Sequence, residues 1–487
     1  MIARIRMYSK KEIAAALILL CANVLMGLTI WLGYKYDQIH FDQILFNMKS
    51  TTTGAQSTLV GSGAVMIGVL PVALTILEIW LYPTLASLLR NRILTLATVL
   101  LAITLFLFSL RIDIYAYVKS DVEKSDFIGT HYVEPDASLL HFPEQKRNLI
   151  YIFLESMEST YADPAAGEPV TTCYIPELES LAEENVHFSN TNGLGGALPF
   201  SGTNWTAAAM VAQTSGVNVK VAVEADSYGA EDVFLPGVTS IGEILEDQGY
   251  NQTLLLGSNA EFHGRKAYFL EHGNYNILDT DSLKASHRLA QDYNEWWGFE
   301  DEKLFSYARE ELTRLAAQDA PFNFTMLTAD THFPDGYHCE LCKDTYEEPY
   351  ANVLACSSRQ VKEFVSWIQD QPFYENTTIV ISGDHLTMDA AFMDNIDPDY
   401  TRTVYDCIIH PAAEPVKETN RQFGTFDLFP TTLAALGVEI DGDRLALGTN
   451  LFSGRDTLTE QYGYEFLLEE LQKQSDFYEQ ELLMQPV

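Results

Sequence analysis

The sequence has few basic residues for its length. Lysine and arginine number 30 against 67 aspartates and glutamates in 487 residues, which gives a formal net charge of -37. Such an acidic excess repels the phosphates of nucleic acids and gives no general attraction to anionic lipid headgroups. Nucleic-acid binding is therefore excluded, and any contact with a membrane must be hydrophobic.

Cysteine is also scarce. One of the six cysteines, Cys21, lies in an apolar segment, and the others are Cys173, Cys339, Cys342, Cys356 and Cys407. Cys339 and Cys342 form a C-x-x-C pair, but no second such pair and no nearby Cys/His pair completes a tetrahedral zinc site. A structural disulfide is favoured over zinc, and in an oxidising compartment up to four of these five cysteines can pair.

Long apolar runs are confined to the first 116 residues, where there are three: 13–33, 59–81 and 93–110. Each approaches the roughly 20 residues that cross a bilayer as a helix. The first is too long for a cleaved signal peptide and has no small-residue cleavage site after it. The sequence therefore predicts a membrane domain, 1–116, with three transmembrane helices.

Basic residues beside these runs predict their orientation. They precede the first run or separate the second from the third: Arg4, Arg6, Lys10, Lys11, Arg90 and Arg92. Because such residues favour the cytoplasmic side, the loop 35–58 and everything after about Tyr115 are expected outside. We predict a multi-pass membrane protein with an extracytoplasmic domain.

The remainder predicts an α/β fold. A polar stretch, 117–147, reads as a linker, and a catalytic domain is expected over 148–455, followed by an acidic, helical tail, 456–487. Buried strands are predicted at 148–154, 253–256, 322–327 and 377–381, with helices from Pro176 and over 240–248, 301–317, 361–368 and 424–437. This alternation indicates a largely parallel sheet with helices on both faces.

Polar residues at element ends suggest a metal site. Glu155 follows the first strand, Asp384 and His385 follow the last, and Thr203 stands at a predicted helix start after a glycine-rich run. Taken singly, the acidic residues also fit the role of ordinary solvated carboxylates, and Thr203 fits that of a helix cap. Together, two carboxylates, an imidazole and a hydroxyl suit Mn²⁺ or Zn²⁺, and a metal would activate the threonine as a nucleophile.

Two further residues fit chemistry at phosphorus. The guanidinium of Arg265 can hold a phosphate with two hydrogen bonds, and His332 lies in a polar loop after a strand. We expect both to contact the non-bridging oxygens or the leaving group.

Four ordered motifs then carry a family resemblance: 148–156, Gly202-Thr203-x-Trp205-Thr206, the loop 330–336, and Ser382-x-Asp384-His385. They resemble the membrane-anchored phosphoglycerol transferases of the alkaline phosphatase/sulfatase superfamily, which include the lipoteichoic acid synthases. The resemblance implies an alkaline-phosphatase-like domain with Thr203 as nucleophile. It also implies metal ligands at Glu155, Thr203, Asp384 and His385, with Mn²⁺ expected and Zn²⁺ or Mg²⁺ as alternatives.

The implied reaction moves glycerol phosphate from phosphatidylglycerol to an extracytoplasmic glycan, glycolipid or teichoic-acid-type acceptor. It passes through a phospho-threonine, releases diacylglycerol, and places Arg265 and His332 against the glycerol phosphate. The same resemblance implies a Cys342–Cys356 disulfide. The chain departs from the family by having His263 in place of a tryptophan, and three spans where the lipoteichoic acid synthases have five.

Three other functions share parts of this pattern. A sulfatase needs Cys-x-Pro-x-Arg or its serine equivalent, and the segment from Cys173 has the wrong spacing and no arginine. A phosphoethanolamine transferase shares the threonine, the ligands and the membrane anchor, so it stays an alternative. A non-catalytic, membrane-anchored binding protein is the third, because fold does not establish function.

Overall fold

The computed structural model describes residues 9–37, 39–50, 53, 57–89, 92–167, 170–221, 228–229 and 233–484. Arg4, Arg6 and Arg90, three of the residues that predict orientation, lie outside this part. The chain divides into two compact units. The first comprises 1–41 and 55–118, and the second comprises 42–54 and 119–487.

The first unit is helical. Its helices are α1 (Lys10–Lys35), α3 (Ser57–Gly63), α4 (Leu70–Leu89) and α5 (Ile93–Arg111). Two more helices cross the sequence boundaries between the units: α2 (Phe41–Lys49), which lies in the second unit except for Phe41, and α6 (Ile114–Val122). The segments Lys10–Lys35, Leu59–Tyr82 and Ile93–Arg111 are long and apolar enough to cross a membrane. The chain is thus a membrane protein with a C-terminal domain.

The second apolar segment carries a widened turn, a π-helix over Ala64–Val69, immediately before Pro71. Proline has no backbone N–H, and its ring clashes with the carbonyl four residues earlier. The turn before the proline widens to accommodate the ring, so the helix continues through it.

The described residues of the second unit form ten strands, six of which make one large sheet. The strands are β1 (Leu140–His141), β2 (Asn148–Leu154), β3 (Asn251–Leu256), β4 (Asn276–Leu278), β5 (Phe322–Leu327), β6 (Thr377–Gly383), β7 (Asp406–Ile409), β8 (Glu439–Ile440), β9 (Arg444–Leu445) and β10 (Gly448–Thr449). The large sheet has the order β4-β3-β5-β2-β6-β7, and all its neighbours are parallel except β6 and β7. The four predicted strands and the mostly parallel sheet are confirmed.

Helices cover both faces of the sheet. They are α7 (Phe127–His131), α8 (Pro176–Glu184), α9 (Thr206–Ser215), α10 (Ile241–Asp247), α11 (Arg265–Glu271), α12 (Thr280–Ala285), α13 (Asp301–Ala316), α14 (Pro349–Gln369), α15 (Ala390–Met393), α16 (Leu428–Ala435), α17 (Leu458–Tyr462) and α18 (Tyr464–Gln472), with a π-helix at Tyr478–Leu483. Short 3₁₀ turns occupy Ala137–Leu139, Ser159–Ala162, Pro164–Ala166, Phe262–Gly264, Pro372–Asn376, Thr425–Asp427 and Asp441–Asp443. The predicted starts at Pro176 and at the Ser240–Glu243 capping box are confirmed.

The central strand β2 separates two hydrophobic cores. Leu149, Tyr151 and Phe153 enter one core, while the alternating residues Ile150, Ile152 and Leu154 enter the other. Every residue of β2 is buried, as expected for a parallel strand covered on both faces. Full burial stabilises each large apolar side chain by about 1.5–3 kcal/mol, so the carboxyl end of β2 is firmly fixed.

Two stretches outside the predicted catalytic domain belong to the second unit. Residues 119–147, predicted as a linker, include α7 and β1, and β1 pairs antiparallel with β8. Residues 42–54, predicted within the membrane domain, also belong to this unit. The acidic tail packs against it through buried Leu467 and Leu471 of α18.

The predicted Cys342–Cys356 disulfide is not formed, and all six cysteines are free. Cys339 accounts for the difference, because its Sγ lies 3.6 Å from that of Cys342 and 3.7 Å from that of Cys356. Three sulfurs therefore converge where the sequence predicts a pair.

Candidate active site

The carboxyl ends of β2 and β6 bring the predicted acidic residues together. The two strands are parallel neighbours, with Leu154 opposite Gly383, so Glu155 and Asp384 leave the sheet side by side. Ligands of open α/β sheets bind at this edge. Thr328 and Thr331, which follow β5, hold the backbone of Glu155 through hydrogen bonds of 3.0 and 2.5 Å.

Three predicted ligands form a compact, buried cluster. Glu155, Asp384 and His385 each offer a ligand atom, and these atoms lie within 4.8 Å of one another. Nε2 of His385 is 3.4 Å from Oδ2 of Asp384 and 3.7 Å from Oε1 of Glu155. All three side chains are almost inaccessible to solvent.

Hydrogen bonds orient these atoms toward a common centre. Oδ1 of Asp384 accepts the backbone N–H groups of Ser156 and His385, both at 2.7 Å, while Oδ2 is buried with no partner among the described residues. Nδ1 of His385 lies 2.7 Å from the carbonyl of Leu386 and donates to it. This fixes the tautomer, so Nε2 carries the lone pair that a metal needs.

The hydroxyl beside this cluster belongs to Thr206. Its Oγ1 lies 3.3 Å from Oε2 of Glu155 and 3.4 Å from Nε2 of His385. The hydroxyl of Thr203 instead donates to the carbonyl of Phe200 at 2.9 Å. The structure thus brings Thr206, rather than Thr203, into contact with the other three residues.

The difference follows from where the helix begins. The sequence predicts a helix start at Thr203, but α9 begins at Thr206, after an extended Trp205 that provides no side-chain cap. The first N–H groups of the helix and the positive end of its dipole therefore lie at Thr206. The helix therefore begins three residues later than the sequence predicts. Thr206 is directly followed by the apolar run 207–211, and this spacing is the sequence feature that indicates the true helix start.

Burial disfavours negative charge here. Burial, with a smaller contribution from the neighbouring Asp384 carboxylate, raises the pKa of Glu155 to about 8. Burial likewise raises the pKa of Asp384 to about 7. Two desolvated carboxylates this close repel one another, and a cation between them relieves both effects.

The residues present therefore fit a divalent cation. They supply two carboxylates, an imidazole nitrogen in the correct tautomer and a hydroxyl, and the unpartnered Oδ2 of Asp384 marks one ligand position. This mixture of oxygen and nitrogen ligands suits Mn²⁺ or Zn²⁺.

Arg265 lies at the start of α11, beyond the end of β3. Its Nε and Nη2 donate to the carbonyls of Phe262 and Asn259 and to Oγ of Ser258, whereas the buried Nη1 has no partner in the described part of the chain. Burial lowers the pKa of Arg265 to about 10, so it stays cationic at neutral pH. A fixed guanidinium with one free N–H edge suits an anionic phosphoryl group.

His332 lies in the loop after β5, and burial lowers its pKa to about 3. Nδ1 is 2.6 Å from the carbonyl of Phe333, so the neutral ring donates there and keeps Nε2 as an acceptor. Trp297 packs against both substrate-binding candidates: its ring centroid is 4.2 Å from that of His332 and 5.4 Å from the guanidinium carbon of Arg265. No local sequence motif marks Trp297, so the sequence does not predict its place in the site.

Comparison with known proteins identifies the family of the chain. The sulfatase family matches residues 147–438. Phosphoglycerol transferase I of Salmonella choleraesuis (strain SC-B67) is 29% identical over 463 residues, covering 91% of this chain and 57% of that protein. The enzyme of the same name from Escherichia coli O127:H6 is 30% identical over 349 residues, covering 69% and 43%.

The chain spans about half the length of these curated relatives. The crystal structure of the lipoteichoic acid synthase LtaP from Listeria monocytogenes is 18% identical, with a TM-score of 0.50, and the match covers 67% of this chain and 80% of that one. At this identity the likeness shows the fold alone. Taken with its site, these matches establish that the chain belongs to the sulfatase family, within the alkaline phosphatase/sulfatase superfamily.

Proposed function

We propose that the protein transfers glycerol phosphate from phosphatidylglycerol to an extracytoplasmic glycan or glycolipid acceptor and releases diacylglycerol. The observation that carries this proposal is the contact of the Thr206 hydroxyl with Glu155 and His385 at the start of α9. The relatives named phosphoglycerol transferase I and the three apolar helices support the choice of a lipid donor.

Glu155, Asp384, His385 and Thr206 would hold the metal, for which Mn²⁺ is our first choice. Such an ion lowers the pKa of a hydroxyl it binds and neutralises phosphoryl oxygens. Thr206 takes the role that the sequence predicts for Thr203. Its hydroxyl donates toward Oε2 of Glu155, which is placed to accept the proton as the oxygen attacks.

In the first half-reaction, a bond forms between Oγ1 of Thr206 and the donor phosphorus. The bond from phosphorus to the diacylglycerol oxygen breaks, and that oxygen leaves as a hydroxyl with the proton given up by Thr206. In the second half-reaction, an acceptor hydroxyl loses its proton and attacks the same phosphorus. The bond to Thr206 then breaks, and the threonine hydroxyl is restored.

In this proposal, Arg265 and His332 bind different parts of the donor. The free Nη1 edge of Arg265 pairs with a non-bridging phosphoryl oxygen, and this interaction strengthens as charge develops there. Nε2 of His332 accepts a hydrogen bond from a glycerol hydroxyl, because Nδ1 is committed to the Phe333 carbonyl. Trp297 covers both groups and excludes water.

The test is diacylglycerol release by the full-length protein in detergent with Mn²⁺, from labelled phosphatidylglycerol and, separately, phosphatidylethanolamine. We expect release from phosphatidylglycerol that requires Mn²⁺ and Thr206. Release from phosphatidylethanolamine alone would replace the proposal with phosphoethanolamine transfer. Turnover of neither lipid by metal-loaded protein would favour a non-catalytic binding protein.

A further inference from the structure

Part of the second unit comes from the sequence between the first two apolar helices. Residues 42–49 of α2 lie in this unit, and Phe46 is completely buried there. Its ring centroid is 5.1 Å from that of Trp205, 5.3 Å from that of His263 and 5.8 Å from that of Tyr228. The two nearest of these rings stand beside the proposed catalytic residues, since Trp205 precedes Thr206 and His263 is two residues before Arg265.

Hydrogen bonds tie the same segment to the loop that leads into α9. Nε2 of Gln43 donates to the carbonyl of Asn204 at 3.2 Å. Oγ of Ser201 donates to Oδ2 of Asp42 at 3.1 Å. Both partners lie within five residues of Thr206, so the segment restrains the approach of the chain to the proposed nucleophile.

A third hydrogen bond reaches the turn before Arg265. Nε2 of His263 lies 2.9 Å from Oδ1 of Asn47. The amide nitrogen of Asn47 donates to the carbonyl of Gln43 at 2.8 Å, which fixes the amide with its oxygen toward the imidazole. Burial lowers the pKa of His263 to about 3, so the ring is neutral and its Nε2–H donates to Asn47.

This bond supports a strained turn. His263 and Gly264 have φ values of 58° and 72°, in the left-handed region that non-glycine residues rarely adopt. The imidazole also stacks on Phe262 with ring centroids 3.8 Å apart, and the Phe262 carbonyl accepts from Nε of Arg265 at 3.1 Å. Asn47 thus acts on the guanidinium through two intervening residues.

From these contacts we infer that the face of α2 that carries Gln43, Phe46 and Asn47 forms one wall of the active site, with Phe46 and Asn47 as positioning residues for the Thr206 loop and the Arg265 turn. The inference rests on the proposed function. It adds that the phosphoryl-binding site is assembled partly from the sequence between the first two apolar helices.

The test uses full-length protein with Asn47→Ala, His263→Ala and the double variant. We expect Asn47→Ala to lower kcat/KM about tenfold and His263→Ala to lower it at least as much, because His263→Ala also removes the stacking on Phe262. The double variant should lose no more than His263→Ala, because both changes remove the same hydrogen bond. Asn47→Asp, which keeps the acceptor oxygen, should retain most activity. Met48→Ala, on the same helix but 78% exposed, should leave activity unchanged.

A second readout separates this inference from the choice of donor. Inorganic phosphate binding to Mn²⁺-loaded protein, measured by calorimetry, requires no turnover. We expect Asn47→Ala to weaken phosphate affinity about tenfold without changing Mn²⁺ affinity. If wild-type protein binds phosphate but turns over no lipid, the proposed function fails and the inference is still tested.

Unchanged phosphate affinity and activity in Asn47→Ala would overturn the inference. So would losses that multiply in the double variant, since they would show that Asn47 and His263 act independently. Phe46→Ala should weaken phosphate binding too, and Asn47→Ala provides the test if that core change prevents folding.

Discussion

Oγ1 of Thr206 lies 3.3 Å from Oε2 of Glu155, whereas the hydroxyl of Thr203, three residues earlier, is engaged with the carbonyl of Phe200. The two threonines precede the same apolar run, yet only Thr206 begins the helix. This relationship distinguishes the proposed nucleophile, Thr206, from Thr203, whose hydroxyl stabilises the loop.

We expect Thr206→Ala to lower the rate of diacylglycerol release by on the order of 10³-fold or more, because the attacking oxygen is removed. Thr203→Ala is the matched control and should retain most activity in the same assay. Equal losses, or a larger loss at Thr203, would restore the sequence-based assignment.

Removal of the metal should lower stability as well as abolish activity. Ligands that bind only the folded state stabilise it, by about 2.7 kcal/mol at a hundred times Kd. We expect a chelator to lower the melting temperature and Mn²⁺ to restore it. Asp384→Asn should bind Mn²⁺ weakly, while Asp399→Asn at an exposed position should bind it like wild type.

Arg265→Lys should raise KM for the lipid donor, roughly tenfold to a hundredfold, because lysine keeps the charge but cannot reproduce several directed N–H groups. In the wild-type side chain, Nε and Nη2 donate to three fixed acceptors, and the Nη1 edge is left for substrate. Steady-state kinetics check this expectation. Lys266→Ala, which removes a surface pair with Glu261, is the neighbouring control, and an equal KM in both variants would contradict it.

His272 should make stability depend on pH. Burial alone lowers its pKa, but hydrogen bonding and charge from Glu243 outweigh burial, so the folded-state pKa is raised above 6.5. Its ring nitrogens lie 3.0 Å from Oε2 of Glu243 and 2.8 Å from the carbonyl of Phe234, an arrangement that favours the doubly protonated ring.

Because the pKa is raised on folding, this stabilisation is complete below the unfolded value of about 6.5 and is lost as pH rises through the folded value. We expect the melting-temperature advantage of wild type over His272→Gln to be largest near pH 6 and to shrink toward pH 8.5. An advantage that grows with pH would refute this assignment.

The three-cysteine cluster predicts one disulfide and one free thiol after oxidation. Sγ of Cys339 lies within 3.7 Å of the sulfurs of both Cys342 and Cys356, so we expect Cys339 to pair with one of them. Peptide mapping of protein alkylated without reduction identifies the pair. A Cys342–Cys356 link with free Cys339 would instead support the pairing implied by the family resemblance.

The sheet and three of the four clustered residues were predictable from the sequence. A buried apolar run followed by an acidic residue predicts both a strand and its carboxyl end, as at Glu155 and Asp384. The helix start was harder, because Thr203 and Thr206 both stand before the same run of alanines. Trp297 and Phe46 carried no signal, since their roles depend on partners distant in sequence.

The position of residues 42–49 also bears on how the protein folds during synthesis. Asp42 is hydrogen-bonded to Ser201, 159 residues later in the chain. At typical elongation rates, the ribosome needs on the order of ten to thirty seconds to make the intervening chain. Phe46 is therefore made long before the aromatic residues that bury it. This part of the candidate active site can form only after those residues have been synthesised and have packed against residues 42–49.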